Sequence, residues 1–545
     1  MPKDDNKGVI RIESILGGHT PVAYFAGEDQ YFSSLGIDPS LPLNDNTAAF
    51  TINSSGLIRP NPASDLSAAN VLHNAPLWME ANPKDGNVYV YDAGGSVYTI
   101  DVNFSAVTAL GDLNDGQTAS GNGCAYYDNY IYFACNTTVA RYGPLNGTPA
   151  FTDDYWVSTL SKTRLTDNSN YPSDSQVSAD IKYPSHYLHR HFDGKLYIAD
   201  VVDGKGTIHY IATTKTTVEG DTDNGSTYNK IQVGYGLLPT CIESYGSDLA
   251  IAFYEGSGTF LSQSKAKVAF WDTTSTNVNK ITWVEFPDPY ISAMKNINGV
   301  LYVASGRISA DGFRVTRFVG GYTFEEVALF GTGAMPFPDA MDGASKQLIF
   351  GSFTDSPTTA GCVHSLGLNN AAIGLGQFNI HRVTSSENSA IATSLYLQDN
   401  YRQSMAAPVV GWGTGDNGKN HNGIDIPSGY GNISSIWYSK FYRIGQPFKI
   451  TKIRIPLAVL VNSSTSITAV LEMDDGTGTY YSLPTINNTN YSGQQVIVFR
   501  NGEDGNGKKS PLLGKNNFML QLTLDSTTIQ PINLPITIEY ELLDD

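Results

Sequence analysis

At 545 residues the chain has room for two or three domains, or for one large repeat domain with a smaller companion, and it can bury a core without disulfide support. Charged residues make up 16% and hydrophobic ones 41%, and 53 Gly and 32 Tyr stand beside abundant Asn, Ser and Thr. That mixture suits short strands joined by tight turns and excludes a disordered chain, while 34 Lys and Arg against 52 Asp and Glu leave a net charge of −18 and exclude a general nucleic-acid binder.

The amino terminus, MPKDDNKGVIRIESILGG, has no apolar h-region and no cleavage pattern, so no secretory signal is expected. No apolar run along the chain is long enough to predict a membrane span. Residues 1–62 are punctuated by Gly and Pro around isolated aromatics, which predicts an extended arm packed along another part of the fold or on a neighbouring subunit. Within the arm, Leu57-Ile58-Arg59-Pro60 is a candidate strand for the first or last unit of the repeat that follows.

From residue 63 to 440 one pattern recurs, a turn pair followed by a short strand with an aromatic or apolar centre. It reads Gly86-Asn87-Val88-Tyr89-Val90, Asn129-Tyr130-Ile131-Tyr132-Phe133, Gly194-Lys195-Leu196-Tyr197-Ile198, Asp248-Leu249-Ala250-Ile251-Ala252, Gly299-Val300-Leu301-Tyr302-Val303 and Lys346-Gln347-Leu348-Ile349-Phe350. With Tyr89, Tyr132, Tyr197, Ala250, Tyr302 and Leu348 taken as equivalent, the gaps are 43, 65, 53, 52 and 46 residues. These gaps fit one four-stranded propeller blade each, at about 40–50 residues per blade, the longest holding a polar insert at 166–180 that reads as a surface loop. A blade alone cannot bury both its faces, and stacking blades around an axis buries both and leaves only short edges. A further unit falls between Ile380 and Ser439, around Pro408-Val409-Val410-Gly411-Trp412 and Ser435-Ile436-Trp437-Tyr438, with a Gly/Asn-rich loop at 413–431. Seven blades are expected, with six as the alternative count. No long stretch carries a 3.6-residue apolar period, so helices are expected to be few.

Residues 441–545 change character. The run Phe448-Lys449-Ile450-Thr451-Lys452-Ile453-Arg454-Ile455 alternates apolar and polar, and further strands are predicted at 467–471, 495–499, 518–524 and 536–542, with turn clusters at 474–478 and 501–507. Such spacing predicts an antiparallel β-sandwich. The expected fold is therefore all-β: an extended N-terminal arm (1–62), a β-propeller (63–440) and a C-terminal β-sandwich (441–545).

Cys124, Cys135, Cys241 and Cys362 form no CxxC or zinc pattern. Cys124 and Cys135 flank the turn at Asn129-Tyr130 symmetrically, which leaves open a cross-hairpin disulfide or two buried thiols. His186, His189 and His191 lie in HYLHRH, where His189 and His191 share a face of a strand; they read as structural blade histidines, since no further ligand is near in sequence. Loops at 219–225 and 501–507 offer oxygen ligands for calcium but lack EF-hand spacing, and solvated turns are the simpler reading. No G-x-S-x-G, H-E-x-x-H, P-loop or dinucleotide fingerprint is present, arginines are scattered and no carboxylate pair is marked by its setting. The chain is expected to bind or build rather than catalyse, with no catalytic, metal or cofactor residues assigned. Trp412, Tyr430, Trp437 and Tyr438, beside glycine-rich loops near the end of the repeat, are candidate contacts for a partner or glycan, and core packing explains them equally well.

Asp221-Thr222-Asp223-Asn224-Gly225-Ser226-Thr227-Tyr228 is similar to the Asp-box of sialidase-type propellers, Ser-x-Asp-x-Gly-x-Thr-Trp, with Asp221 in place of Ser and Tyr228 in place of Trp. In that family the box stabilises a turn away from the chemistry, so the likeness implies a propeller rather than a glycosidase. In layout, the N-terminal arm, the Tyr-centred repeats and the Trp437-Tyr438-Ser439 junction resemble propeller-type virion proteins of tailed bacteriophages. The resemblance implies a tail-associated or head-attached structural protein, made in the host cytoplasm, partnered by copies of itself and other virion proteins, and facing a host receptor or surface glycan. A surface suited to the outside without an export signal agrees with that setting. The competing expectation is a propeller that binds or hydrolyses glycans. The structural reading predicts no convergent carboxylates; the glycan reading predicts acidic and aromatic side chains converging at the propeller's axial mouth.

Overall fold

In the computed structural model almost all regular structure is strand, and the α-helix Asn488–Tyr491 is a single turn. The structure describes the chain apart from residues 1–5, 16–17, 20–27, 29, 36, 39–48, 53–54, 59–71, 73, 114–122, 136–137, 158–187, 203–204, 213–230, 256–264, 307–311, 321, 331–334, 345–346, 354–360, 371–373, 383–390, 398–407, 414–421, 431–434, 475–478, 501–511, 526–531 and 544–545. No helix among the described residues is long and apolar enough to cross a membrane. The insert at 166–180, the Asp-box-like segment and the loops at 219–225 and 501–507 lie outside the described residues. By compactness the chain falls into two units, residues 58–361 with 383–426, and residues 1–57 with 362–382 and 427–545.

The repeat read from the sequence is the second strand of successive four-stranded sheets: Val88–Asp92, Tyr130–Ala134, Lys195–Val202, Asp248–Glu255, Val300–Gly306 and Gln347–Phe353. Each pairs antiparallel with the strand before it, respectively Pro76–Ala81, Cys124–Tyr127, Leu188–Arg190, Leu237–Tyr245, Tyr290–Ile297 and Met341–Ala344. The turn pairs have a conformational cause. Asp128 and Asn129 adopt φ of 45° and 65°, and Asn298 and Gly299 adopt 52° and 84°, the left-handed backbone that tight two-residue hairpins require. A seventh sheet holds Ile391–Leu397, Pro408–Gly413 and Asn422–Tyr430, and its fourth strand is Ser55–Ile58 from the N-terminal segment. Leu57 and Ile58 thus supply a strand to the last blade. The first strands of the seven sheets touch one another in ring order, and Ile391–Leu397 returns to Pro76–Ala81. The fold is a seven-bladed β-propeller; the sheets are called blades 1 to 7 below.

Blades adhere through apolar faces. Tyr132 of blade 2, Leu196 and Tyr197 of blade 3 and Ile251 and Trp271 of blade 4 share one buried cluster. Ala250 of blade 4 meets Leu301 and Phe318 of blade 5, and Met79 and Val90 of blade 1 meet Val409 and Ile424 of blade 7. Each buried Val, Leu, Ile, Phe or Met among them is worth roughly 1.5–3 kcal/mol against exposure. Cys124 lies opposite Phe133 in the blade 2 hairpin, and Cys124 and Cys135 are buried free thiols, as is Cys241.

The second unit is a β-sandwich. One sheet runs Lys7–Ile12, Ile536–Leu542, Phe448–Pro456, Val496–Arg500; the other runs Thr479–Ser482, Ser466–Asp474, Asn517–Leu524, Ser435–Tyr438, Ser33–Leu35. Their inward residues, among them Ile450, Ile453, Ile455 and Ile538 from the first and Leu471, Phe518, Leu520 and Leu522 from the second, are fully buried, and the rings of Phe448 and Phe518 meet at 5.7 Å. The alternation in Phe448–Pro456 slips once, because a bulge between Ile450 and Lys452 absorbs an extra residue and returns Ile453 and Ile455 to the core. Two expectations are refined here. Ser435–Tyr438 was expected in the seventh repeat unit, but it pairs with Asn517–Leu524 and Ser33–Leu35 in the sandwich, because Ser55–Ile58 fills the outer place in blade 7. The N-terminal segment adds edge strands to both sandwich sheets, Lys7–Ile12 to one and Ser33–Leu35 to the other.

Two outcomes are expected. A Cβ added at Gly411 would stand 2.8 Å from Pro76 Cγ and 3.0 Å from Met79 Cε and would crowd Ser394, so Gly411→Ala loosens the blade 7–blade 1 seam and costs about 1–3 kcal/mol in urea unfolding. Gly147→Ala, with nothing nearer than 3.5 Å, is the silent control. In native protein Cys124, Cys135 and Cys241 stay unmodified by iodoacetamide; after unfolding without reductant, peptide mass mapping finds all three alkylated.

Candidate functional site

The first strand of each blade pairs with a neighbour on one side only. Its other edge faces the axis, where backbone N–H and C=O groups need partners. Side chains from other blades provide many of them. Tyr126 N of blade 2 donates to Glu80 Oε1 of blade 1 at 3.0 Å. Met79 N of blade 1 donates to Asp339 Oδ2 at 2.7 Å, and Leu397 N of blade 7 donates to Asp342 Oδ2 of blade 6 at 3.2 Å. The hydroxyls of Thr393 and Ser394 in blade 7 donate to Pro76 O in blade 1, at 2.7 and 2.8 Å. Asn296 Nδ2 of blade 5 donates to Ser244 O of blade 4 at 2.7 Å.

This stitching gathers charge. Lys295 of blade 5 places its ammonium 3.1 Å from Asp342 Oδ1. Burial pushes Glu80 up to about 7, against the pull of the Tyr126 N–H and the positive Lys295 and Arg190. Burial likewise pushes Glu243 up to about 7, opposed by Lys295 and the Ser244 N–H. Asp339 is held well above the usual carboxylate range by burial, and the Asp342 carboxylate holds Lys295 above the ordinary lysine range. Four acids from blades 1, 4 and 6 and the segment before blade 6 therefore share one electrostatic neighbourhood with Lys295. Carboxylates do converge on the axis.

Beside them runs a directed chain of hydrogen bonds. His191 Nε2 faces the carbonyl oxygen of Ser247 at 3.2 Å, so that nitrogen carries the proton. Its Nδ1 then accepts from Ser244 Oγ at 2.8 Å, and Ser244 Oγ accepts from His189 Nε2 at 2.7 Å. His189 Nε2 also stands 3.5 Å from Glu243 Oε1. His189 and His191 thus do share a face, and both serve one hydroxyl. No group of three or more metal-ligating side chains is found among the described residues, and His186 lies outside them.

The aromatic candidates are placed otherwise. Trp412 is fully buried, with Nε1 donating to Asp425 Oδ1 at 2.9 Å inside blade 7. Trp437 is fully buried in the sandwich, 6.4 Å from the Tyr31 ring, so neither indole offers a face to a partner. Tyr438 is half-buried in the same strand, and the side chain of Tyr430 lies outside the described residues. Phe192, on the turn that follows His191, is 73% exposed. Sequence reasoning missed Glu80, Glu243, Lys295, Asp339 and Asp342. A register signal was present for three of them: Glu80, Glu243 and Lys295 stand directly opposite Tyr89, Ala250 and Tyr302, the centres of the repeat.

No protein-family model matches the chain, and a comparison with curated proteins returns no match. Among solved structures, the computationally designed Ika8 protein is similar at 11% identity and a TM-score of 0.35, over 66% of this chain and 97% of that one. The Pan2 WD40 domain of Neurospora crassa is similar at 10% identity and a TM-score of 0.40, over 69% and 94%. Raptor of Chaetomium thermophilum is similar at 10% identity and a TM-score of 0.43, over 72% of this chain and 30% of that one.

Ser244→Ala removes the hydroxyl that serves both histidines and takes from the buried His191 Nδ1 its hydrogen-bond partner. A loss of about 1–3 kcal/mol is expected in chemical denaturation, well above that of an exposed Ser247→Ala change.

Proposed function

We propose that the chain is a structural component of a tailed-phage virion, tail-associated, that assembles with copies of itself and other virion proteins and meets a host-surface receptor. Carboxylates converge on the axis, against the expectation of this reading, and what supports it is the use to which they are put. Glu80, Asp339 and Asp342 each accept a backbone N–H from another part of the ring, and Asp342 also pairs with Lys295, so the polar groups that converge are spent on holding the propeller together. A scaffold spends buried charge in this way; a hydrolase needs a pair of carboxyl groups left free to flank a bond. The polar, sparsely charged composition and the arm–propeller–sandwich layout support the same reading.

The convergence of Glu80, Glu243, Asp339 and Asp342 favours a second reading, a propeller that binds or cleaves glycans at its axis. Mass spectrometry of purified virus particles decides between the two. The chain is expected in particles at a fixed, low copy number relative to the major capsid protein. Its absence from particles would overturn the virion reading, and glycan arrays and hydrolase assays on wild type and Glu243→Gln then test the other.

A further inference from the structure

We propose that closure of the propeller ring is coupled to proton uptake at its axis, with the Lys295 ammonium as the charge against which the surrounding carboxyl groups are balanced. The geometry is an arrangement across blades. Lys295 contacts Asp342 at 3.1 Å, and Glu243 and Asp339 also act on it. Glu80 of blade 1 feels the charges of Lys295, Asp342 and Arg190 and holds Tyr126 N. Asp339 faces Lys295, Asp342 and Glu80 and holds Met79 N. Glu243 faces Lys295 and Asp342, with His189 at 3.5 Å. The acids thus outnumber the cations, and the same acids bond the free strand edges. With every carboxyl ionised, their mutual repulsion acts on the hydrogen bonds that close the ring. The side chains of Lys295 and Asp342 are 37% and 17% exposed, so water reaches this edge of an otherwise buried cluster.

The direction follows from linkage. Glu80 and Glu243 stand at about 7 in the folded chain against an ordinary value of 4.5, so the folded chain holds more protons between those limits. Stability contributed by these groups therefore grows as pH falls from 8 towards 5 and is lost as pH rises through 7.

The test is thermal unfolding of the full chain at pH 5.5 and 8.5, for wild type and for Lys295→Met, Glu80→Gln and Glu243→Gln. Lys295→Met is expected to lose more at pH 8.5 than at pH 5.5, by roughly 4 °C or more in Tm. Glu80→Gln keeps an acceptor for Tyr126 N but no titrating group, so its Tm is expected to change less than the wild type's between the two pH values. Glu243→Gln should behave likewise. Equal losses for Lys295→Met at both pH values, together with wild-type pH dependence in both glutamine variants, would overturn the proposal. If Lys295→Met fails to fold at either pH, the glutamine variants decide alone.

Discussion

A strand that opens a propeller blade has a partner on one side and an axis on the other. Seven such strands converge here, and each unpaired N–H or C=O that loses water without gaining a partner costs about 1–3 kcal/mol. The chain meets this constraint with side chains that reach from one blade to another. Some seams use neutral groups, as with Thr393 and Ser394 on Pro76 O or Asn296 on Ser244 O. Others use carboxylates, and those place charge where water is scarce. The raised values of Glu80 and Glu243 record that cost, and Lys295 offsets part of it. Bulges serve the same end. Register shifts fall between Pro76 and Trp78, Pro239 and Cys241, Ile291 and Ala293, and Ala392 and Ser394, near the start of four first strands. Groups beside these shifts turn to the next blade: Cys241 Sγ to Ser292 O at 3.0 Å, and Thr393 Oγ1 to Pro76 O.

Much of the architecture was legible because the second strand of a blade is its most constrained part. Val88–Asp92 is buried throughout, so its residues up to Tyr91 are apolar or aromatic, and a tight turn precedes it. That pairing of turn and strand recurs and marks six blades; Pro408–Gly413, preceded in the sequence by Met405-Ala406-Ala407 and not by a turn pair, marks the seventh less clearly. The axial cluster was not legible for the opposite reason. Its members come from residues 80, 243, 295, 339 and 342, and no local spacing joins them; only the ring does. For Trp412 and Trp437 the sequence leaves partner contact and core packing both open, and both side chains are buried in the core. Glycine-rich surroundings suggest exposed loops, yet Gly423 is where the Trp412 ring lies against the backbone, since a Cβ there would stand 2.6 Å from Trp412 Cζ2. The glycine marks close packing, not exposure.

The first 58 residues show how chain connectivity hides from pattern reading. Their strands are short, two to six residues, and no alternation is long enough to predict partners. Each gains its stability from the sheet it joins. Lys7–Ile12 pairs in full register with Ile536–Leu542, and Ser33–Leu35 with Ser435–Tyr438, where Tyr31 packs near Trp437. Lys7 and Arg11 on the outermost strand of that sheet discourage edge pairing with another chain.

The four axial acids are not equally committed, and the difference bears on what the axis can do. Glu80 and Asp339 each hold an N–H from the first strand of another blade, and Asp342 holds both an N–H and the Lys295 ammonium. Glu243 accepts instead from its own neighbour, Ser244 N at 2.9 Å, and faces His189. Removing its charge therefore leaves no seam between blades without a bond. If a ligand reaches the axis, Glu243 is the acid able to answer it while the bonds between blades stay made. A scaffold reading and a binding reading thus differ at one residue: in a pure scaffold Glu243 contributes only to the proton balance around Lys295, whereas in a binding propeller it is the group that the rest of the ring leaves available.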